Sequence, residues 1–518
     1  MSGDTTSSLL TARALILLQL LSRLLTFGLN QALVRLAPPE VFGTAAIQFD
    51  LICATTLFLS REGIRNALLR SPSTSDSEKT SDVRRKQDRR LATIPFWLGI
   101  AVSTFTVAIY LARLPLSTSL QKDFHLSLGL YVLSSLLELA IEPHYIVALR
   151  SSPPKIRVRV QAEGGMAITK ALVTVGCVVL FERLGQGRPL LAFAVGQVMG
   201  AVWLVGRYVL EFGLMGLVWT GTRPDQKRFS EPTATLALAN MRQSVVKHIL
   251  TEADRIAVGI ICPLEDQGGY AIAMNYGSLV ARIIFQPLEE TLLLHFSISP
   301  SSPSSIRLLT LAVRLSSHLL LLLPAFLPSL LPVLTPLLLP RRYLSTSAPE
   351  ILETYLKAYI PLLSLNGILE AYHAATATPE QVKTQIKWMI ASSAGFVGAL
   401  AMTARVGGLP KETTLIYASC FAMVIRIAYA LLHARRQAKA TGGEIRGSSL
   451  VPRKAVVGAA LGSMLLLRWL AGMGRWVEGW RGKGELLGTG AVLGLSTLGV
   501  IFFAERRAVL EVWKGKVE

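Results

Sequence analysis

Charged and amide side chains recur inside segments that are otherwise apolar, and their types and spacing point to the handling of an anion. A charge at mid-membrane costs roughly 2.5–3.5 kcal/mol on insertion scales, so each one must face protein, water or a ligand. Near the N-terminus Gln19, Arg23, Asn30, Gln31 and Arg35 recur at helical spacings and can share one broad polar face, with Arg13 ahead of them. Arg61 and Arg65 lie one turn apart with Glu62 between them. Lys247, His248, Glu252, Asp254 and Arg255 form a third group, Arg282, Glu289 and Glu290 a fourth, and Arg426 stands deep in a late apolar segment. Arginine binds phosphate oxygens bidentately and stays charged, so a net-positive surface built from these groups suits an anionic headgroup. Two plainer roles compete with that one. Arg13, Arg35 and Arg65 are near enough to segment ends to snorkel, and Arg282 can form an ion pair with Glu289 two turns on.

Other chemistries lack their residues. There is no G-x-x-x-x-G-K-[ST] phosphate loop, and Gly482, Gly484 and Gly488 have the wrong spacing for a dinucleotide site. No H-E-x-x-H occurs, and His248, His295 and His318 read as packing or interfacial residues. Cys53, Cys177, Cys262 and Cys420 all sit in apolar segments without a C-x-x-C pair, so neither a disulfide framework nor a zinc site is indicated. No catalytic residue, metal or cofactor is therefore expected. The formal charge of +20 is scattered through connectors and does not form one face or tail, so nucleic acid is not an expected partner.

The elements that must position these residues are membrane helices. The 518 residues are 51% hydrophobic and 17% charged, against about a quarter charged in a globular domain. A spanning helix needs about 20 apolar residues, and the sequence offers fourteen segments: 9–36, 41–69, 91–113, 124–149, 157–182, 189–216, 233–262, 267–297, 304–330, 350–376, 380–405, 410–436, 454–474 and 486–505. The first is too long and too interrupted by charge for a signal peptide, so it is expected to be retained. Alternate connectors, from Arg70–Arg90 to the C-terminal tail, carry more than twice the Lys and Arg of the others, which predicts cytosolic termini. No connector is long enough for a soluble catalytic domain; Ser71–Arg90 reads as a solvated loop.

Shifting the chain by 225 residues places Ala32, Pro38, Glu40, Gly43 and Ala46 on Ala257, Pro263, Glu265, Gly268 and Ala271. The match suggests a duplication: an N-lobe over 1–230, a C-lobe over 231–440, and two further helices with a tail over 441–518. Parallel repeats of this kind are a transporter plan. The expected fold is thus an all-α polytopic membrane protein of about 14 transmembrane helices, in two six-helix lobes plus two C-terminal helices. Prolines at 324, 328, 332, 336 and 340 argue for a broken end to the ninth helix or for a hinge there.

Particular strings resemble one family. FLSREGIRNALLR (Phe58 to Arg70), KHILTEADRIAV (Lys247 to Val258), YGSLVARIIFQPLEET (Tyr276 to Thr291) and YIPLLSLNGILEAYHAATA (Tyr359 to Ala377) resemble the dolichol-linked oligosaccharide translocation proteins of the endoplasmic reticulum. VRVQAEGGMAITK (Val158 to Lys170) fits more weakly, and beyond about 380 only the helix count and Arg426 support the match. The resemblance implies the two-lobed fold of the multidrug, oligosaccharidyl-lipid and polysaccharide flippase superfamily. It also implies the movement of a pentamannosyl chitobiosyl diphosphodolichol from the cytosolic to the lumenal leaflet for N-glycosylation. Carried over position by position, Arg35, Arg61, Arg65, Arg282 and Arg426 look like the family's basic cavity residues, while Glu163, Glu252, Glu289 and Glu290 fall within its motif strings. The expected partners are that lipid, the surrounding membrane lipids and other proteins of N-glycan assembly. Three other functions compete. They are a cation-coupled antiporter using Glu163 or Glu252, a factor that binds the same lipid without moving it, and an integral-membrane glycosyltransferase, against which the short lumenal loops weigh.

Overall fold

Lipid offers no hydrogen-bond partners, so an apolar spanning chain must satisfy its backbone within helices or a closed barrel. In the computed structural model the described residues are 28–29, 31–70, 78–151, 155–214, 231–298, 302–406, 411–440, 443–473 and 479–514, and they form helices and turns with no strand among them. Arg13, Gln19, Arg23 and Asn30 of the first expected helix lie outside the described residues, as do residues 71–77; the rest of the loop expected over Ser71–Arg90 is instead helical, part of the helix Glu78–Ala112 that runs on into the next span.

Among the described residues nine helices are long and apolar enough to cross a membrane, and this is a multi-pass membrane protein. Five come first: Pro39–Leu69 (α1), Gln87–Ala112 (α2), Phe124–Arg150 (α3), Arg157–Arg183 (α4) and Pro189–Phe212 (α5). Next are Glu231–Ile261 (α6), Leu264–Val280 (α7) and Gln286–Ile298 (α8), the last two joined by a π-turn at Ala281–Phe285. Pro303–Leu338 (α9) is a further apolar span, followed by Ile360–Thr376 (α10) and Pro379–Val406 (α11). The last spans are Thr413–Ala440 (α12), Lys454–Gly472 (α13) and Gly479–Ala508 (α14). Helices α6, α7, α8, α10 and α11 fill segments expected to span but are not among the nine. Phe105, Leu210 and Phe502 point outward at 67%, 82% and 67% exposure, which suits lipid and not water.

The chain divides into two compact units, Met1–Gly268 and Gly269–Glu518. In the first, Ile64 and Leu68 of α1 pack with Leu91 of α2, Ile141 and Tyr145 of α3, Val158 of α4, Leu204 and Tyr208 of α5 and Ala237 of α6. Helix α6, expected at the head of the C-lobe, is thus built into this core. In the second, Leu292 and Phe296 of α8 pack with Leu309 and Val313 of α9, Leu369 and Tyr372 of α10, and Ala430 and Ala434 of α12. Val333 of α9, Leu467 and Leu470 of α13 and Leu486 of α14 make a smaller cluster that attaches the last two helices. Glu505 of α14, 2% exposed, adds an ion pair at 3.2 Å to Arg314 of α9.

Positions related by the 225-residue shift meet inside the first unit. A Cβ on Gly43 would lie 2.6 Å from the carbonyl oxygen of Leu264, and one on Gly268 would press still closer to that of Pro39. Since Pro39 and Leu264 are themselves shift partners, the contact is reciprocal. Only glycine allows backbones so close. Beside it Gln48 donates to Gln267 at 2.8 Å, and the Tyr110 hydroxyl donates to Gln48.

The proline row corrects an expectation. Instead of breaking the ninth helix, residues Leu319–Leu338 form one α-helix with Pro324, Pro328, Pro332 and Pro336 inside it. The spacing explains this. The N–H missing at Pro328 would have bonded the carbonyl of Pro324, and the one missing at Pro332 that of Pro328, so all the lost bonds fall on a single i, i+4 row. The other rows stay intact, and the interruption sits instead at His318, between Pro303–Ser317 and Leu319–Leu338.

Candidate functional site

The last turns of α1 carry Arg61 and Arg65 on one face, and α3 presents Glu138 and Glu142 with the same spacing. Helix α3 is interrupted between the two carboxylates, where Ile141 caps one helical stretch and Glu142, followed by Pro143, opens the next. Arg65 donates to Glu142 through both Nε, at 3.1 Å, and Nη2, a bidentate pair, and its guanidinium carbon lies 3.8 Å from the Tyr145 ring centroid. Both partners are enclosed, with side-chain exposures of 16% for Arg65 and 2% for Glu142. Arg61 is held differently. Its Nη1 lies 3.8 Å from Glu138 and 3.8 Å from Glu142, within Coulombic reach of both and hydrogen-bonded to neither, and its side chain is 27% exposed.

Further, weaker pairs lie along the same unit. Arg159 pairs with Glu163 at 3.0 Å on the exposed side of α4 and stands 5.6 Å over Tyr145. Lys170 reaches Asp50 at 3.5 Å, Lys247 reaches Glu62 at 3.7 Å, and Arg255 reaches Glu252 at 3.5 Å. The predicted packing residue His248 is buried, bonded to Thr55 at 2.9 Å and stacked on Phe58. At the centre, Arg61, Arg65 and Arg159 face Glu138, Glu142 and Glu163. The surplus of positive charge expected from the sequence is not present in this cluster, because the apolar helix α3 supplies the balancing carboxylates. Tight backbone packing holds the cluster: a Cβ on Gly63, between the two arginines, would lie 2.6 Å from the backbone nitrogen of Met241 on α6.

The second unit holds a separate set. Arg282 lies in the π-turn Ala281–Phe285, and its side chain is outside the described residues, as is the Arg282–Glu289 pair expected from the sequence. Such turns inside α-helices are frequent at functional sites. Glu289 packs against Gly367, where a Cβ would collide with its Oε1. Glu290 is exposed and accepts from Gln286 at 3.1 Å. Arg426 donates through Nε to Glu370 at 3.1 Å, and the two side chains are 35% and 31% exposed. Arg35, on the short stretch before α1, is exposed.

Three residues that matter here were not singled out in the sequence: Glu138, Glu142 and Glu370. The signal was present for the first two. Two carboxylates four apart in the apolar string LLELAIEP of α3 match two arginines four apart in SREGIR of α1. Glu370 is the only carboxylate in YIPLLSLNGILEAYHAATA, one of the strings that carry the family resemblance, so a signal was present there too.

Comparison with known proteins adds the lineage. A family model described as "Rft-1: Rft protein" matches residues 7–515. A protein of Yarrowia lipolytica is 30% identical over 92% of this chain and 77% of its own length, and one of Eremothecium gossypii is 29% identical over 79% of each chain. A third, of Saccharomyces cerevisiae, is 28% identical over 79% of each. All three are named Man(5)GlcNAc(2)-PP-dolichol translocation protein RFT1. Among solved structures, the lipid II flippase MurJ in an inward closed conformation shares the fold, with a TM-score of 0.65 at 12% identity over 95% of this chain and 98% of that one.

Proposed function

The chain belongs to the Rft protein family, and from that premise we propose that it carries a dolichol-diphosphate-linked oligosaccharide, the pentamannosyl chitobiosyl intermediate, from the cytosolic to the lumenal leaflet of the endoplasmic reticulum. The names of its relatives support that cargo. The chain crosses the membrane fourteen times with both termini in the cytosol, a reading supported by the helices that fill the expected segments and by the basic bias of alternate connectors. The protein moves its cargo by alternating access and does no covalent chemistry on it.

Unassisted, the sugars and diphosphate would have to shed water in hydrocarbon, which is what makes flipping slow. A polar protein surface replaces that water. One observation carries the assignment of roles: Arg61 sits between two carboxylates without a hydrogen bond to either, whereas Arg65 is locked bidentately to Glu142. A guanidinium held only by distance exchanges carboxylate for phosphate oxygens with little rearrangement. Arg61 therefore contacts the diphosphate, and Arg65 with Glu142 fixes the face from which it reaches. Within the first unit Arg35 is a further cationic contact and Glu163 and Glu252 line the polar surface; Arg282, Arg426, Glu289 and Glu290 are the corresponding cargo-facing residues of the second unit, taken by itself.

The test is the purified chain in liposomes with a labelled diphosphodolichol oligosaccharide, following movement between leaflets. Wild-type movement that falls about ten-fold or more in Arg61→Ala, with unchanged thermal stability, is the expected result. If the wild type binds the lipid through Arg61 yet moves none of it, the protein is a factor that presents the lipid to other proteins of N-glycan assembly.

A further inference from the structure

The proline row of α9 borders a cavity of ≈ 330 Å³, lined by Pro328, Ser329, Pro332 and Val333 on α9 and by Arg468 and Ala471 on α13. Arg468 is the lone charge between Lys454 and Gly472, and it lies within about one turn of the helix's end, the depth at which a membrane helix meets the headgroup layer. Unlike Arg65, Arg314 and Arg426, which have carboxylate partners, Arg468 forms no hydrogen bond or ion pair among the described residues, and neither does the hydroxyl of Ser329. The proline row adds a third unusual wall. Pro332 lacks an N–H for the carbonyl of Pro328, and Pro336 lacks one for that of Pro332, so the carbonyl oxygens of both cavity-lining prolines have no donor at i+4.

The cavity therefore combines a cation and a hydroxyl donor with carbonyl acceptors on an apolar helix pair. A phosphodiester is the group that a planar guanidinium recognises. Carbonyl oxygens would repel a bare phosphate but accept from hydroxyl groups, so the lipid that satisfies both walls carries a polyol on its phosphate. We propose that the groove between α9 and α13 is a binding site for an anionic phospholipid with a hydroxyl-bearing headgroup, of the phosphatidylinositol or phosphatidylglycerol kind. The phosphate meets Arg468 and Ser329, the headgroup hydroxyls donate to the carbonyls of Pro328 and Pro332, and the acyl chains remain in the bilayer. The site lies within the second unit and does not depend on the transport reading.

The experiment places the full-length protein in nanodiscs of phosphatidylcholine containing a minor share of phosphatidylinositol and measures the lipids retained by native mass spectrometry. Wild type is expected to retain phosphatidylinositol over phosphatidylcholine, and Arg468→Ala to lose about ten-fold of that preference, with Arg468→Lys falling between them because it keeps charge but not the bidentate fork. Ser329→Ala, which removes one donor and no charge, should lower retention by a smaller factor, and it serves as the test should Arg468→Ala not fold. Soluble glycerophosphoinositol should not compete; full competition would mean a site for free phosphate esters and would overturn the lipid assignment. Equal retention of the two lipids by wild type, or retention unchanged in both Arg468→Ala and Ser329→Ala, would overturn the site.

Discussion

Two arginine–glutamate pairs, each joining a pair of helices, differ in how far water reaches them. Arg65 and Glu142 in the first unit are enclosed, bidentate and capped by the Tyr145 ring, whereas Arg426 and Glu370 in the second are about one third exposed each. The chemistry is the same and the role is not. Removing one partner of an enclosed pair leaves a charge that water cannot reach, while a solvated pair gains little from its Coulomb energy. The lesson extends to Arg61, which stands on the enclosed cluster but keeps a loose, partly solvated guanidinium. It has the position of a structural residue and the freedom of a binding one.

The comparison breaks hardest at Glu142. Glu142→Ala should lower stability by about 3–5 kcal/mol, read as a fall in thermal unfolding temperature in detergent and in yield, with most of the loss regained when Arg65 is also replaced by methionine. If Glu142→Ala were as mild as Glu370→Ala, burial would not be what separates the pairs. Next in size is Gly268→Ala, whose new methyl meets the Pro39 backbone and cannot be relieved by a side-chain rotation; about 1–3 kcal/mol is expected by the same measurement. Gly367→Ala at the Glu289 side chain should cost less than Gly268→Ala, since a carboxylate can turn away and a backbone cannot. Smallest is Arg426→Ala, expected at about 1 kcal/mol or below after screening, with any effect appearing in lipid movement and not in unfolding. Arg61→Ala sharpens the contrast further: near-neutral stability beside a large loss of movement would place it with Arg426 energetically, although it shares a carboxylate with Arg65.

Much of the fold was legible in the sequence because spanning helices are local objects. Hydropathy over about 20 residues located the nine apolar spans found among the described residues, and the glycine and proline of the internal repeat marked the close approach between Gly43 and Gly268. The proline row misled because a helix losing a donor at every fourth residue is expected to break, whereas that spacing confines the damage to one row of bonds. The site was legible in part. Arg61 and Arg65 were visible as a turn-spaced pair, but their local partners Glu138 and Glu142 were not, because they sit in a helix that hydropathy alone reads as plain.

The sequence by itself determined that this chain is helical and membrane-spanning, since apolar length and backbone hydrogen bonding leave a lipid-embedded segment few other choices. It also determined which side chains are costly enough in lipid to need a partner. Only the tertiary structure decided who that partner is. Whether an arginine meets a carboxylate, an aromatic face or an open cavity depends on which helices pack and how deeply water enters. These are properties of neighbours far apart in the chain, as the 77-position separation of Arg65 and Glu142 illustrates.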